Sequence, residues 1–302
     1  MDVVIVAYHA HDRLRRCLES LRDHPGAQRL NVVVVDNGDD ADTAELVRDV
    51  LTEAVTIEPH ANLGFGRSSN LGIRRTHDEH VLLLNPDCEL AEGTLDRLVE
   101  VLEAHPEVGM IGPELVREDG SLDHAGRRSF PTVLGALGHF TGVGRKVRGG
   151  PLAQYRATDV VSGPVDAVNG AFMLCRRVAL EKVGLFDEGY WMYMEDLDLC
   201  YRLRQAGWLT WYEPSARALH VKHGTSGSVR SPKLVWAFHY GMFRFYRSHY
   251  APQRSHAMNG LVYAGIATRT AAVLAKSTIA RLRRLRASQA ENRAAPSYSR
   301  PR

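Results

Sequence analysis

Three short runs, residues 2–8, 30–35 and 80–84, are apolar at nearly every position rather than at every second one. A strand with one wet face alternates. A strand that is apolar throughout is covered on both faces, as in parallel sheets. Helical patterns separate the runs: Leu14, Leu18 and Leu21 share one face of a helix over 13–22, and further helices are predicted over 43–51 and 92–105. Short strands are expected at 55–58 and 108–111. This alternation specifies an α/β fold with a mostly parallel, Rossmann-like central sheet flanked by helices. Ligands of such sheets bind beyond the carboxyl ends of the strands. Asp36 and Asn37, which close the second run, are therefore placed to hydrogen-bond a base or ribose, or to cap the helix that follows. Asp87 follows Pro86, which ends the third run. It can hold a hard cation against a diphosphate or serve the turn alone.

Composition bounds the class. The chain of 302 residues is 44% hydrophobic and 24% charged, the balance of a soluble globular protein with a sizeable core. Cys17, Cys88, Cys175 and Cys200 are scattered without a CxxC pair, which argues against a zinc site or a disulfide framework and fits a reducing cytosol. No apolar run reaches transmembrane length, and no leader is expected ahead of the first strand. The net charge of +3 is unevenly placed: residues 230–302 carry fourteen basic residues and one acid, Glu291, a net +13 that leaves −10 on residues 1–229. A basic tail on an acidic body predicts a polyanionic partner, either anionic lipid or nucleic acid.

Four later stretches carry further signals. Asn62-Leu-Gly-Phe-Gly opens a helix and lets backbone approach a ligand, although it is neither GxGxxG nor a Walker loop and also serves as a packing turn. Residues 112–165 are rich in Gly and Pro. They predict a hairpin turn at 117–121 and a long loop over 127–163 that contains Arg145, Lys146 and Arg148. A strand at 169–175 and a helix at 177–183 lead to Tyr190-Trp-Met-Tyr-Met-Glu-Asp-Leu-Asp198. There Glu195, Asp196 and Asp198 open a helix that ends at Gly207, with Leu199 and Leu203 inward and Asp198 within reach of Arg202. A carboxylate beside a hydrophobic wall suits a general base, and an acidic first turn on a solvated helix gives the same pattern. A strand pair is expected at 209–212 and 216–220, then a helix rich in aromatics over 231–250. A basic amphipathic helix follows over 258–285, suited to a membrane interface or to packing against a partner, and 287–302 reads as disordered.

Five motifs in this order resemble the inverting glycosyltransferases of family 2, which have the GT-A fold: Val3-Val-Ile-Val-Ala-Tyr8, Val34-Val-Asp-Asn-Gly38, Asn62-Leu-Gly-Phe-Gly66 with Asn70, Leu84-Asn-Pro-Asp87, and Glu195-Asp-Leu-Asp198 with His220. The resemblance covers residues 2–250 and implies a catalytic domain over 1–230, with a nucleotide-binding half over 1–112 and an acceptor-binding half over 113–230. A C-terminal helical extension over 231–286 would associate with membrane, and 287–302 would be a tail. It implies that Ala7, Tyr8, Asp36, Asn37, Asn62, Gly64, Phe65, Asn70 and Asn85 bind the donor. Asp87 and His220 would hold Mg²⁺ or Mn²⁺, with His223 a competing ligand. Asp196 would be the catalytic base and Glu195 would position the acceptor. Asn85 stands where the family places the first Asp of its DxD motif, so this turn offers the metal one carboxylate fewer.

Within the family the chain is most similar to bacterial rhamnosyltransferases. This implies dTDP-rhamnose as donor, a polyprenyl-diphosphate-linked N-acetylglucosamine as acceptor, and cell-wall linker synthesis at the cytoplasmic face of the membrane, with the two C-terminal helices available for a homodimer. The rivals are a family 2 transferase that uses another nucleotide sugar for a surface polysaccharide, a non-catalytic nucleotide-sugar binding module, and a nucleic-acid binder acting through the tail. The last is disfavoured because residues 265–302 interleave only Tyr298 among their basic residues, so base stacking is poorly provided for.

Overall fold

The computed structural model describes residues 1–26, 29–38, 41–124, 126–131, 161–221 and 231–294. The predicted loop positions Arg145, Lys146 and Arg148, and His223, lie outside the described residues. The chain divides into two compact units, Met1–Gly227 and Ser228–Arg302.

The first unit is built on a nine-stranded sheet in the order β3-β2-β1-β4-β10-β6-β11-β5, with β8 also on β11. Strands β1 (Asp2–Ala7), β2 (Asn31–Asp36), β3 (Val55–Ile57) and β4 (His80–Leu84) are mutually parallel. β10 (Phe172–Arg176) runs antiparallel between β4 and β6 (Val108–Val116). β11 (Leu209–His220) lies parallel to β6 and carries β5 (Cys88–Leu90) and β8 (Gly163–Val165) antiparallel to it. The fully apolar runs are buried along their whole length in β1 and β4, as two-sided coverage requires. The helices α1 (His11–Arg22), α2 (Ala41–Val50) and α4 (Thr94–Ala104) supply Leu14, Leu18, Val47, Leu95 and Leu98 to one core with these strands. α3 (Phe65–Arg74) crosses β1 so closely that a Cβ on Gly72 would lie 2.3 Å from Val4 Cγ1.

Three expectations are corrected. The strand at 108–111 continues to Val116 through Gly112 and Pro113. Pro113 sits opposite Glu213 where the register of β11 shifts, a place where a missing backbone donor costs little. The two strands expected at 209–212 and 216–220 are one strand. Pro214, Ser215 and Ala216 lie unpaired at a register shift within it rather than in a hairpin turn, and Glu213 accepts both the backbone N–H and the hydroxyl of Ser215. Residues 127–128, read as loop, form β7 (Arg127–Arg128), which pairs with β9 (Ala167–Val168) in a separate two-stranded sheet.

Other expectations hold. Arg117 and Ser121 close the hairpin turn with a 2.8 Å backbone bond. After α5 (Arg177–Lys182), α6 (Glu195–Gln205) buries Leu199 and Leu203, pairs Asp198 with Arg202 at 2.6 Å, and stops at Gly207 with φ +89°.

The second unit is a helical hairpin. α7 (Pro232–His249) is capped by Ser231, whose hydroxyl accepts the Leu234 N–H. A 3₁₀ turn at Ala251–Gln253 leads to α8 (His256–Ala294), which continues past the predicted 258–285 and across residues 287–294, a segment rich in helix-forming Ala, Gln, Glu and Arg. Val262, Ile266 and Thr270, four apart, form its buried stripe. Over the whole of His256–Ala294, which is longer than the 258–285 expected, the apolar positions of α8 do not gather on one face.

Candidate active site

The carboxyl ends of β1, β2 and β4, the start of β10 and the end of β11 meet at one rim of the sheet. Ala7 is paired with Asp36 across β1 and β2, and its carbonyl accepts the Asn37 N–H at 2.8 Å. Tyr8 is exposed beside His9, at 4.4 Å between ring centroids. Asp36 is buried, and its Oδ1 accepts the Gly38 N–H.

Asn37 and Asn70 are engaged by protein partners. Asn37 Oδ1 accepts from the Leu63 N–H at 2.8 Å and the Ser68 hydroxyl at 2.9 Å, while its amide donates to Asn62 Oδ1. Asn70 donates to the Phe186 carbonyl and to Glu188, and accepts the Phe186 N–H, each at 3.0 Å. These two residues brace the walls of the rim. Tyr8, Asn62 and Phe65 remain at least partly accessible.

Gly64 is required twice over. Its φ of +84° and ψ of 172° belong to glycine, and a Cβ there would stand 2.1 Å from the Trp191 carbonyl oxygen. Phe65 N–H donates to that same oxygen at 3.0 Å, and Phe65 meets Phe186 edge to face. The glycine-rich turn is thus docked on the segment that precedes α6.

That segment, residues 190–194, ends in two left-handed non-glycine residues, Tyr193 (φ +68°) and Met194 (φ +72°). Such backbone costs on the order of 1–3 kcal/mol per residue and persists only where the surroundings enforce it. Here it turns the chain abruptly into α6, bringing Glu195 and Asp196 into the rim at the helix's positive end.

Asp196 is buried and well held. Oδ2 accepts from Arg128 and from the Gly170 N–H at 3.0 Å, and Oδ1 accepts the Leu197 N–H at 2.7 Å. Gly170 is constrained by this contact, since a Cβ would lie 3.1 Å from Asp196 Cβ. Glu195 is also buried, and its Oε2 has no hydrogen-bond partner among the described residues. Burial, with the neighbouring Asp196 charge added, pushes its pKa up to about 8. Two adjacent carboxylates therefore have different surroundings, one ion-paired and one desolvated.

Asp87 and His220 form the second cluster. His220 Nε2 and Asp87 Oδ1 face each other at 3.7 Å. The Asp87 oxygen is buried without a hydrogen-bond partner among the described residues, and burial raises the Asp87 pKa. His220 Nδ1 lies 3.1 Å from Asp123 Oδ2. A carboxylate accepts, so Nδ1 donates to Asp123, and Nε2 is the ring nitrogen left facing Asp87. An imidazole nitrogen and a carboxylate oxygen aimed at one point are a donor set that suits a divalent cation. The Cys88 sulfur lies in the same group, within 4.8 Å of both. Its thiol donates to the Ala171 carbonyl at 3.4 Å, and burial raises its pKa far above the ordinary value.

The two clusters share a backbone. Gly170 N–H reaches Asp196, while the carbonyl of Ala171 accepts the Asn85 N–H at 2.9 Å, two residues before Asp87. Three participants escaped sequence reasoning: Asp123, Arg128 and Gly170. Asp123 is 97 residues from His220 and Arg128 is 68 from Asp196. Both lie in the Gly- and Pro-rich stretch 112–165, Asp123 just after the expected hairpin turn and Arg128 in the expected loop, so spacing carries no signal for either.

One rim of the sheet thus gathers a carboxylate pair, Glu195 and Asp196, and an Asp–His couple, Asp87 and His220. Residues 1–241 match the family described as "Glycosyltransferase like family 2", and the chain belongs to that family. It is 32% identical over 258 residues to the N-acetylglucosaminyl-diphospho-decaprenol L-rhamnosyltransferase of Mycobacterium tuberculosis, covering 80% of this chain and 81% of that one. It is 28% identical over 246 residues to the rhamnosyltransferase WbbL of Escherichia coli K12, covering 78% of this chain and 89% of that one. Among solved structures, GalNAc-T7 with UDP, GalNAc and Mn²⁺ superposes with a TM-score of 0.59 at 16% identity, over 82% of this chain and 47% of that one. Residues 1–349 of Staphylococcus aureus TarS give 0.57 at 15%, over 89% and 70%. The chain thus spans about half the length of the GalNAc-T7 chain.

Proposed function

We propose that this glycosyltransferase moves rhamnose from dTDP-rhamnose to a polyprenyl-diphosphate-linked N-acetylglucosamine, with inversion at the anomeric carbon, in cell-wall linker synthesis. The similarity to the mycobacterial enzyme supports the transferred sugar and the lipid-linked acceptor that its name gives. The observation that carries the chemistry is the bonding of Asp196. Its Oδ2 is filled by Arg128 and Gly170, while among the described residues Oδ1 takes the Leu197 N–H alone, leaving a lone pair for an incoming hydroxyl.

The donor's nucleotide lies along the rim at Ala7, Tyr8, Asp36, Asn62, Gly64, Phe65 and Asn85, with Asn37 and Asn70 holding the walls. Asp196 takes the proton of the acceptor hydroxyl as that oxygen bonds to the anomeric carbon. The bond from that carbon to the diphosphate breaks on the opposite face, and its electron pair leaves with the diphosphate. One base suffices because no covalent enzyme intermediate forms. Glu195, neutral near pH 7, donates a hydrogen bond that positions the acceptor. Asp87 and His220 would hold Mg²⁺ or Mn²⁺, which when bound offsets the charge of the departing diphosphate.

The lipid-linked acceptor places the work at the cytoplasmic membrane face. Among the described residues no helix is long and apolar enough to cross a membrane, so the attachment proposed is peripheral. Assaying the purified enzyme with dTDP-rhamnose and with UDP-hexoses, on a short-chain polyprenyl-diphosphate acceptor, tests this. Turnover with dTDP-rhamnose alone is expected. Transfer only from a UDP-sugar would move the enzyme to surface polysaccharide synthesis.

A further inference from the structure

The helical hairpin of the second unit has a groove of about 590 Å³ between α7 and α8, lined by Trp236, Tyr240, Phe243, Tyr263, Ile266 and Leu274 among others. Its walls are almost wholly apolar, yet Trp236 is 60% exposed and Tyr240 40%. Isolated apolar residues at a surface are ordinary. Aromatic rings left open along a continuous groove mark an interaction surface.

The sequence around the groove indicates what covers it. Lys233, Trp236, Tyr240, Phe243, Arg244 and Arg247 recur at three- and four-residue spacings, so three cations and three rings share one face of α7. From residue 228 to residue 290 there is not one Asp or Glu. A second copy of this chain docking here would set two cationic faces against each other. A surface of anionic lipid meets both parts of the pattern: tryptophan and tyrosine rings seat at the level of the headgroups, and the cations meet the phosphates.

We propose that the exposed α7 face, with the groove it shares with α8, is the surface by which this protein seats on anionic lipid, its aromatic side chains entering the interface. The proposal takes from the functional reading only the expectation of membrane attachment. It assigns that attachment to the aromatic face of α7 rather than to α8.

Co-sedimentation of the full chain with vesicles of phosphatidylcholine, and of phosphatidylcholine mixed with phosphatidylglycerol, tests it without donor or acceptor. Binding to the mixed vesicles alone is expected, weakening as salt rises. Trp236→Ala with Tyr240→Ala is expected to lower the partition coefficient at least tenfold. Lys233→Gln and Arg247→Gln are each expected to lower it roughly fivefold, the equivalent of about 1 kcal/mol per basic residue. Circular dichroism checks that the variants fold. Transfer to a water-soluble acceptor is expected to survive the double alanine change, which separates failure of this surface from failure of the catalytic reading. Wild-type partitioning by the double variant would overturn the proposal. So would equal binding to both vesicle types, or a solution dimer that the double variant abolishes while vesicle binding stays.

Discussion

The Nδ1 of His220 and the Oδ2 of Asp123 lie 3.1 Å apart, and Asp123 itself is buried. The pair fixes the imidazole so that Nε2 faces Asp87, as a second carboxylate does behind many metal-binding histidines. Asp123→Asn keeps the size of the side chain and removes its charge. The Kd for Mn²⁺, followed by the loss of its free EPR signal, is expected to rise about 10- to 100-fold with the fold intact. An unchanged Kd would leave Asp123 a purely structural residue.

Asp196→Asn tests the base. It preserves the bonds from Gly170 and Arg128 far better than alanine would, and turnover is expected to fall about 10²- to 10⁴-fold. Titration of dTDP followed by calorimetry should show little change, because the loss lies in proton removal and not in donor binding.

Glu195→Gln makes permanent the neutral state that burial favours. The folded pKa of Glu195 is raised, so the wild-type protein binds this proton more tightly folded than unfolded. Its contribution is full below the ordinary glutamate pKa and is lost as pH rises toward about 8. Denaturant titrations between pH 5 and pH 8 should therefore show Glu195→Gln gaining on the wild type as pH rises. A gap that stays constant over that window would mean the glutamate is ionised in the folded protein.

Gly64→Ala combines backbone strain with collision against the Trp191 carbonyl. A stability loss of at least about 3 kcal/mol is expected in urea titration, together with weakened nucleotide binding. Gly93→Ala is the control. That glycine also has positive φ, +72°, but nothing lies within 4 Å of its Cβ direction, so a loss of only about 1 kcal/mol is expected.

The α/β class, the strands that form the rim, and the carboxylates at the head of α6 were legible because each leaves a local mark: an unbroken apolar run, an acidic first turn, a terminating glycine. The geometry that joins them was not. β10 is apolar like its neighbours, and nothing in its residues tells that it inserts antiparallel between β4 and β6. Pro214 and Ser215 have the composition of a turn, and only pairing with β6 on both sides keeps β11 one strand. The metal-site motif pointed to Asp87 and His220, yet the carboxylate that orients His220 comes from a hairpin with no helical or strand period. Asn37 and Asn70 were expected to bind the donor, and both side chains are engaged by protein partners, because a motif does not say whether an amide faces a ligand or a neighbouring loop.

The reversed strand β10 has one more implication. Residues 1–112 and 113–230 read as successive halves, but the later one threads a strand into the interior of the earlier, where Leu174 meets Leu82 on one side and Ile111 on the other. Severing the gene at that boundary would cut through β6 and give two polypeptides, the first with a gap in mid-sheet between β4 and the stub of β6. Co-expression rather than mixing of purified fragments would be the route to a working split enzyme.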